Sequence, residues 1–210
     1  MNFAEYNVKD ANLEEILLAL KSLDTVEAVA LGGSRSTGAS DENSDYDIYV
    51  YCLEIPTGKT RENLLGKYCS IAEFGNHYWE SEDNTVMNNG IPVDIIYREV
   101  DRFGRYIDTV IKGGKAFNGY TTAFWHNIKN SKVLFDKTGT FTKFRDMAQI
   151  DFPENLRSAI IKNNRNLLNG KLPSYDRQIK KAQERGDIVS VNHRITAFLE
   201  SYFDVIFALN

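Results

Sequence analysis

Two cysteines in 210 residues, Cys52 and Cys69, cannot build a disulfide framework. Both stand in apolar contexts and read as buried free thiols. Histidine is nearly as scarce, at three residues, and no His/Cys spacing suggests a zinc site. His77 falls in a candidate strand, and His126 and His193 fall in candidate helices, where packing is the plainer role. No apolar run approaches the ~20 residues of a membrane span. The N-terminus is polar and acidic, unlike a signal peptide. The expected location is the cytoplasm, with no membrane partner. Positive charge is not in excess either: 25 Lys and Arg face 29 Asp and Glu, a net charge of −4. A protein that wraps nucleic acid usually carries a basic surface, so this balance argues against a nucleic acid partner. Internal repeats and low-complexity segments are missing too. What remains is 42% hydrophobic and 26% charged residues, ordinary for a globular protein and enough for one domain or two small ones.

The stretch that organises the chain runs from Leu31 to Tyr51, LGGSRSTGASDENSDYDIYVY. Val26 to Leu31 before it is apolar and β-prone and reads as a strand. Gly32 and Gly33 let the backbone turn sharply and approach a ligand closely. Ser34 is placed to cap the next helix. Free N–H groups at such a turn, with a helix dipole behind them, favour an anion such as a phosphate. A second strand follows. Its period of two puts Asp45 and Asp47 on one face, with Tyr46 and Ile48 on the other. Two carboxylates side by side repel unless a cation sits between them, and Mg²⁺ commonly binds one or two carboxylates plus substrate phosphates.

The serine of G-G-S and the first acid of D-x-D lie eleven positions apart, and Ile91–Arg98 (IPVDIIYR) carries Asp94 in a later apolar run. This three-part pattern resembles the DNA polymerase β-like nucleotidyltransferase superfamily, in particular its small bacterial stand-alone and antibiotic-modifying branch. The resemblance covers about the first half of the chain. It implies Mg²⁺, one ion or two, held by Asp45, Asp47 and Asp94 as the catalytic and metal-binding acids. It implies a nucleoside triphosphate, ATP in the first instance, with Gly32, Gly33, Ser34 and Arg35 at its phosphates. Arg35 or Lys59 would add positive charge. Asp94 would hold the second metal or take the proton from the acceptor hydroxyl. The reaction implied is transfer of AMP to a hydroxyl of a small molecule, such as an aminoglycoside- or lincosamide-like antibiotic, with release of pyrophosphate. Two alternatives stay open: an antitoxin-like enzyme that modifies a protein, and a nucleotide-binding regulator without transfer activity.

The fold class expected is α/β. A small mixed sheet with helices packed on it would span residues 1–114, and a helical domain 115–210. Asp10 is placed to cap a helix over Ala11–Leu23. Arg61–Phe74 reads as an amphipathic helix burying Leu64, Leu65, Tyr68, Ile71 and Phe74. Asn76–Glu82 reads as a strand, and Asn88-Asn89-Gly90 as a turn. Helices are expected over Val100–Lys112, Thr121–Lys129 and Thr140–Gln149, from Pro153 to about Asn169, from Pro173 to near Gly186, and over Ile188–Leu209. Trp79, Tyr97, Tyr120 and Trp125 are candidates for stacking on a base or acceptor ring, or for the core. Lys162, Asn163, Arg165 and Asn166 form either a solvated helix face or a wall of the nucleotide cleft. The last helix stops at FALN without a polar tail. That suits a truncated chain or a helix that ends in a partner interface, such as a homodimer.

Overall fold

The computed structural model describes residues 8–210. The acidic N-terminal stretch lies outside them. The chain forms two compact units by its internal contacts. The first runs to Arg105 and takes back Asn127–Met147; the second comprises Tyr106–His126 and Ala148–Asn210. Among the described residues no helix is long and apolar enough to cross a membrane.

Helix α1 (Ala11–Lys21) begins where Asp10 accepts hydrogen bonds from the Asn12 and Leu13 N–H groups. Its Leu13, Ile16, Leu17 and Leu20 recur at helical spacing and are almost fully buried. Each contributes roughly 1.5–3 kcal/mol by leaving water. Strand β1 (Val26–Leu31) follows, then the short helix α2 (Gly33–Thr37) and strand β2 (Tyr46–Cys52). Next come α3 (Gly58–Leu65), β3 (Cys69–Asn76), β4 (Ser81–Met87), β5 (Pro92–Glu99) and α4 (Val100–Ile107), which continues as a π-helical turn through Lys112. Then come α5 (Thr121–Asn130), β6 (Lys132–Asp136) and α6 (Thr140–Ala148).

The sheet is mixed, in the order β3-β4-β5-β2-β1-β6. Among the described residues only the β2–β5 pair is parallel; the other neighbours are antiparallel. One face buries Ile48 and Val50 of β2, Val93, Ile95 and Tyr97 of β5, and Val26, Val29 and Leu31 of β1 against α1 and Leu65 of α3. On the other face, the Tyr51 ring stacks on Phe141 of α6 at 4.7 Å and tilts against Phe103 of α4 at 5.0 Å. These rings cover the C-terminal half of β2 on that face. Its N-terminal end, with Asp45 and Asp47, keeps access to solvent.

Two expectations are corrected. The helix expected over Arg61–Phe74 ends at Leu65, and the chain re-enters the sheet at Cys69 as an edge strand. Gly66 closes the helix, and Ile71 is 66% exposed rather than buried. Backbone pairing with β4 outweighs the apparent helical spacing there. The strand expected over Asn76–Glu82 is shifted, since His77–Glu80 form the hairpin connection and the strand starts at Ser81. Beyond residue 114, Lys132–Asp136 returns to the sheet as its edge next to β1.

The second unit contains α7 (Glu154–Leu168), α8 (Tyr175–Glu184) and α9 (Ile188–Leu209). A buried polar group ties it together. The Asp204 carboxylate accepts from the Thr122 N–H at 2.7 Å, the Thr122 hydroxyl at 2.8 Å and Asn164 Nδ2 at 3.3 Å. Three donors to one carboxylate satisfy a charge that would be costly to bury alone. Trp125 packs on Phe152 within this unit and Tyr97 lies in the sheet core, so both rings are structural. Lys162, Arg165 and Asn166 are exposed along a shallow concavity on α7, whereas Asn163 donates to the Ala116 carbonyl.

Candidate active site

Two strands and one loop build the site. β2 and β5 run parallel with Asp47 directly opposite Asp94, so both carboxylates leave the same face of the sheet side by side. Asp45 stands just before β2 and is exposed. The loop ahead of it is stapled at several points. The Asp41 carboxylate accepts from the Asn43 N–H at 2.9 Å and the Ser44 hydroxyl at 3.0 Å. Arg35 Nε donates to the Ser44 and Asp45 carbonyls at 3.1 and 2.9 Å, and its guanidinium lies over the Tyr46 ring. The structure thus places Arg35 as a strut under Asp45. Lys59 lies on α3, paired with Glu62 and well exposed.

The glycine turn is built around Asp47. The Gly32 N–H donates to the Asp47 carbonyl at 2.8 Å, which ties the turn to β2. Gly33 has φ +59°, and a Cβ there would overlap Asp47 Oδ2 and lie 2.7 Å from its Cγ. A Cβ on Gly32 would overlap the Tyr49 ring, whose hydroxyl accepts from Asn127 Nδ2 at 2.7 Å. Both glycines are therefore required by close approach to side chains of β2. The helix starts at Gly33 with Gly32 at its cap position and no side-chain cap, so Ser34 does not cap it. Ser34 lies one residue inside, and its carbonyl receives the Gly38 N–H that ends the turn.

The electrostatics follow from this crowding. Burial first, then the charges of Asp45 and Asp94, push the Asp47 carboxyl above the usual carboxylate range. Among the described residues no Lys or Arg pairs with any of the three acids. No three His, Cys, Asp or Glu side chains among them are grouped to hold a metal ion unaided. The side-by-side carboxylates of Asp47 and Asp94, with Asp45 beside them, are hard oxygen donors of the kind a divalent cation such as Mg²⁺ takes. One neighbour was not foreseen. Asn84 Nδ2 donates to Asp94 Oδ1 at 3.0 Å from the next strand. With β4 expected to end at Glu82, Asn84 had no place in the sheet.

Residues 13–117 match the nucleotidyltransferase domain family. The chain belongs to this family. It is a nucleotidyltransferase, an enzyme that moves a nucleoside monophosphate and releases pyrophosphate. Residues 122–210 of the nucleotidyltransferase match a domain of unknown function, DUF4037. A search of the curated proteins gives no match. Among solved structures, one described as a toxin-antitoxin with AMP-PNP is similar, at 15% identity and a TM-score of 0.40. That match covers 74% of this chain and 94% of the other. A nucleotidyltransferase-like protein from Exiguobacterium sibiricum 255-15 is similar at 9% identity and a TM-score of 0.41, over 90% of this chain. The chain spans about half of that protein, 53%.

Proposed function

We propose that the enzyme transfers AMP from ATP, with Mg²⁺, to a hydroxyl of a small molecule, of which an aminoglycoside- or lincosamide-like antibiotic is the model acceptor. The observation that carries this reading is the row formed by Asp47 and Asp94 on parallel strands, with the Gly33 backbone pressed against Asp47. Asp45 and Asp47 would hold the cation and the nucleotide phosphates. Asp94 would take a second cation position or the proton of the acceptor hydroxyl. The backbone at Gly32 and Gly33 and the Ser34 hydroxyl would receive the β- and γ-phosphates, with Arg35 adding charge from beneath the loop. Mg²⁺, when bound, neutralises phosphate charge around the α-phosphorus. The residues themselves supply position. They aim the acceptor oxygen at the α-phosphorus so that its O–P bond forms as the bond to pyrophosphate breaks. In this reading residues 1–114 carry the nucleotide chemistry and 115–210 form a helical domain, with the strand Lys132–Asp136 returned to the sheet. The setting would be the cytoplasm.

The α9 surface favours a second reading, a protein acceptor or a second copy of the chain. Phe203 and Phe207 are stacked at 5.8 Å and exposed, and Leu199 and Tyr202 are also exposed. Such a row suits contact with a macromolecule. Pyrophosphate release from each of the four NTPs tests both readings, against aminoglycosides, lincosamides and a cell lysate. Release should need an acceptor and vanish in Asp45→Ala/Asp47→Ala. Release only with a protein fraction selects the second reading, and nucleotide binding without release in any arm refutes transfer.

A further inference from the structure

Asp94 is held from behind by a chain of amides that crosses three strands. Asn84 Nδ2 donates to Asp94 Oδ1 at 3.0 Å. Asn84 Oδ1 in turn accepts from Asn76 Nδ2 at 2.8 Å, and the same Nδ2 donates to Glu73 Oε2 at 3.2 Å. The direction of the chain is fixed by its ends. An ionised carboxylate only accepts, so Asn76 must turn its NH₂ group toward Glu73. That NH₂ also faces Asn84, which must then present its oxygen to Asn76 and its NH₂ to Asp94. Flipping Asn84 would set its oxygen against Asp94 Oδ1 and its NH₂ against that of Asn76, losing both bonds.

The fold is shaped to make this chain. Asn84, Asp94 and Asp47 are consecutive partners across β4, β5 and β2, a single row on one face. Glu73 and Asn76 are three residues apart and would point to opposite faces of a regular strand. The register of β3 shifts between them, and Gly75 in that shift has φ +83°. The shift brings the Asn76 amide within reach of both Glu73 and Asn84. The Gly75 N–H is anchored by Asp83 Oδ1 at 2.8 Å, and Asp83 is paired with the buried Arg61 at 3.1 Å. The buried pair thus supports the irregular backbone that presents the amides.

We propose that Asn84 is a positioning residue: it holds Asp94 by Oδ1, with its own direction set by Asn76 and Glu73, and leaves Oδ2 of Asp94 for the cation. The inference rests on the assignment of Asp94 to the catalytic site. It divides the labour of one carboxylate between its two oxygens and makes a neutral amide part of the machinery.

The test is Mn²⁺ binding followed by the loss of the free-ion EPR signal. The full chain is saturated with an ATP analogue bridged by methylene between the α- and β-phosphates, so no turnover is needed. Asp94→Ala, Asn84→Ala, Asn84→Ser and Asn76→Ala are compared with the unaltered protein, and the melting temperature of each reports folding. Asn84→Ala should weaken Mn²⁺ binding by roughly 10–100-fold, as groups that orient a ligand usually do. Asn84→Ser keeps a donor and should recover part of that loss. Asn76→Ala leaves the Asp94 contact but frees its direction, and should fall between. If Asp94→Ala weakens Mn²⁺ binding and Asn84→Ala does not, the positioning role is wrong and the site assignment stands. If Asp94→Ala leaves Mn²⁺ binding unchanged, the site assignment fails and this inference with it. Should Asn84→Ala not fold, Asn76→Ala decides, and unaltered Mn²⁺ affinity there overturns the proposal.

Discussion

Gly33→Ala is the sharpest test of the site, because Gly38→Ala is its built-in control. Both glycines have left-handed φ, +59° and +79°, at the two ends of the same short helix. Either alanine pays for that conformation, about 1–2 kcal/mol. For a chain of this size that is roughly 2–8 °C in melting temperature. The sites differ in their surroundings. A Cβ on Gly38 meets nothing within 4 Å, whereas one on Gly33 overlaps Asp47 Oδ2 and lies 3.3 Å from its Cβ. That overlap forces the Asp47 carboxylate away from its present position. A displacement of about 1 Å at a reacting group costs on the order of 10²-fold in rate. Alanine keeps the backbone N–H, so a phosphate contact there would survive. Differential scanning fluorimetry and pyrophosphate release measure the two effects separately. Gly33→Ala should lose at least as much stability as Gly38→Ala, and only Gly33→Ala should lose activity, to about the level of Asp47→Ala. Equal activity in the two variants would refute the packing of the glycine turn on Asp47.

Gly32→Ala should destabilise by about 1–3 kcal/mol through overpacking against Tyr49, and a Tyr49→Phe background should not relieve it, since the clash is with the ring. The Asp47 carboxyl lies above its ordinary value of 3.8 in the folded state. Its contribution to stability is therefore full below the unfolded value and is lost as pH rises through the folded one. Metal-free Asp47→Asn should show a flatter melting temperature over that window than the unaltered protein, and identical slopes would contradict the crowding of the three acids. Arg61 and Asp83 are buried together, 2% and 0% exposed. Removing one partner leaves an unpaired buried charge, so Arg61→Met should cost roughly 3–5 kcal/mol in urea unfolding, and Arg61→Met/Asp83→Leu should recover much of it. No recovery in the double variant would mean that the pair is needed for its geometry at Gly75 rather than for charge balance.

Local chemistry by itself determines much of this protein. Val26–Leu31, the glycine turn, the acids at the head of β2 and Asp94 on a later strand are written in short-range pattern, because strand period, glycine freedom and capping act within a few residues. The cap at Asp10 and the helix over Ile188–Leu209 were legible for the same reason. The stretch from Arg61 to Glu82 was not. Its apolar residues fit a helix by spacing, and only the free edge of β4 turns Cys69–Asn76 into a strand. Tertiary structure alone decided that Asp47 faces Asp94 in register, that Arg35 props the loop under Asp45, and that Asn84 stands behind Asp94. Each of these joins residues through sheet pairing or loop closure, and a sequence states which side chains can pair but not the register in which they meet.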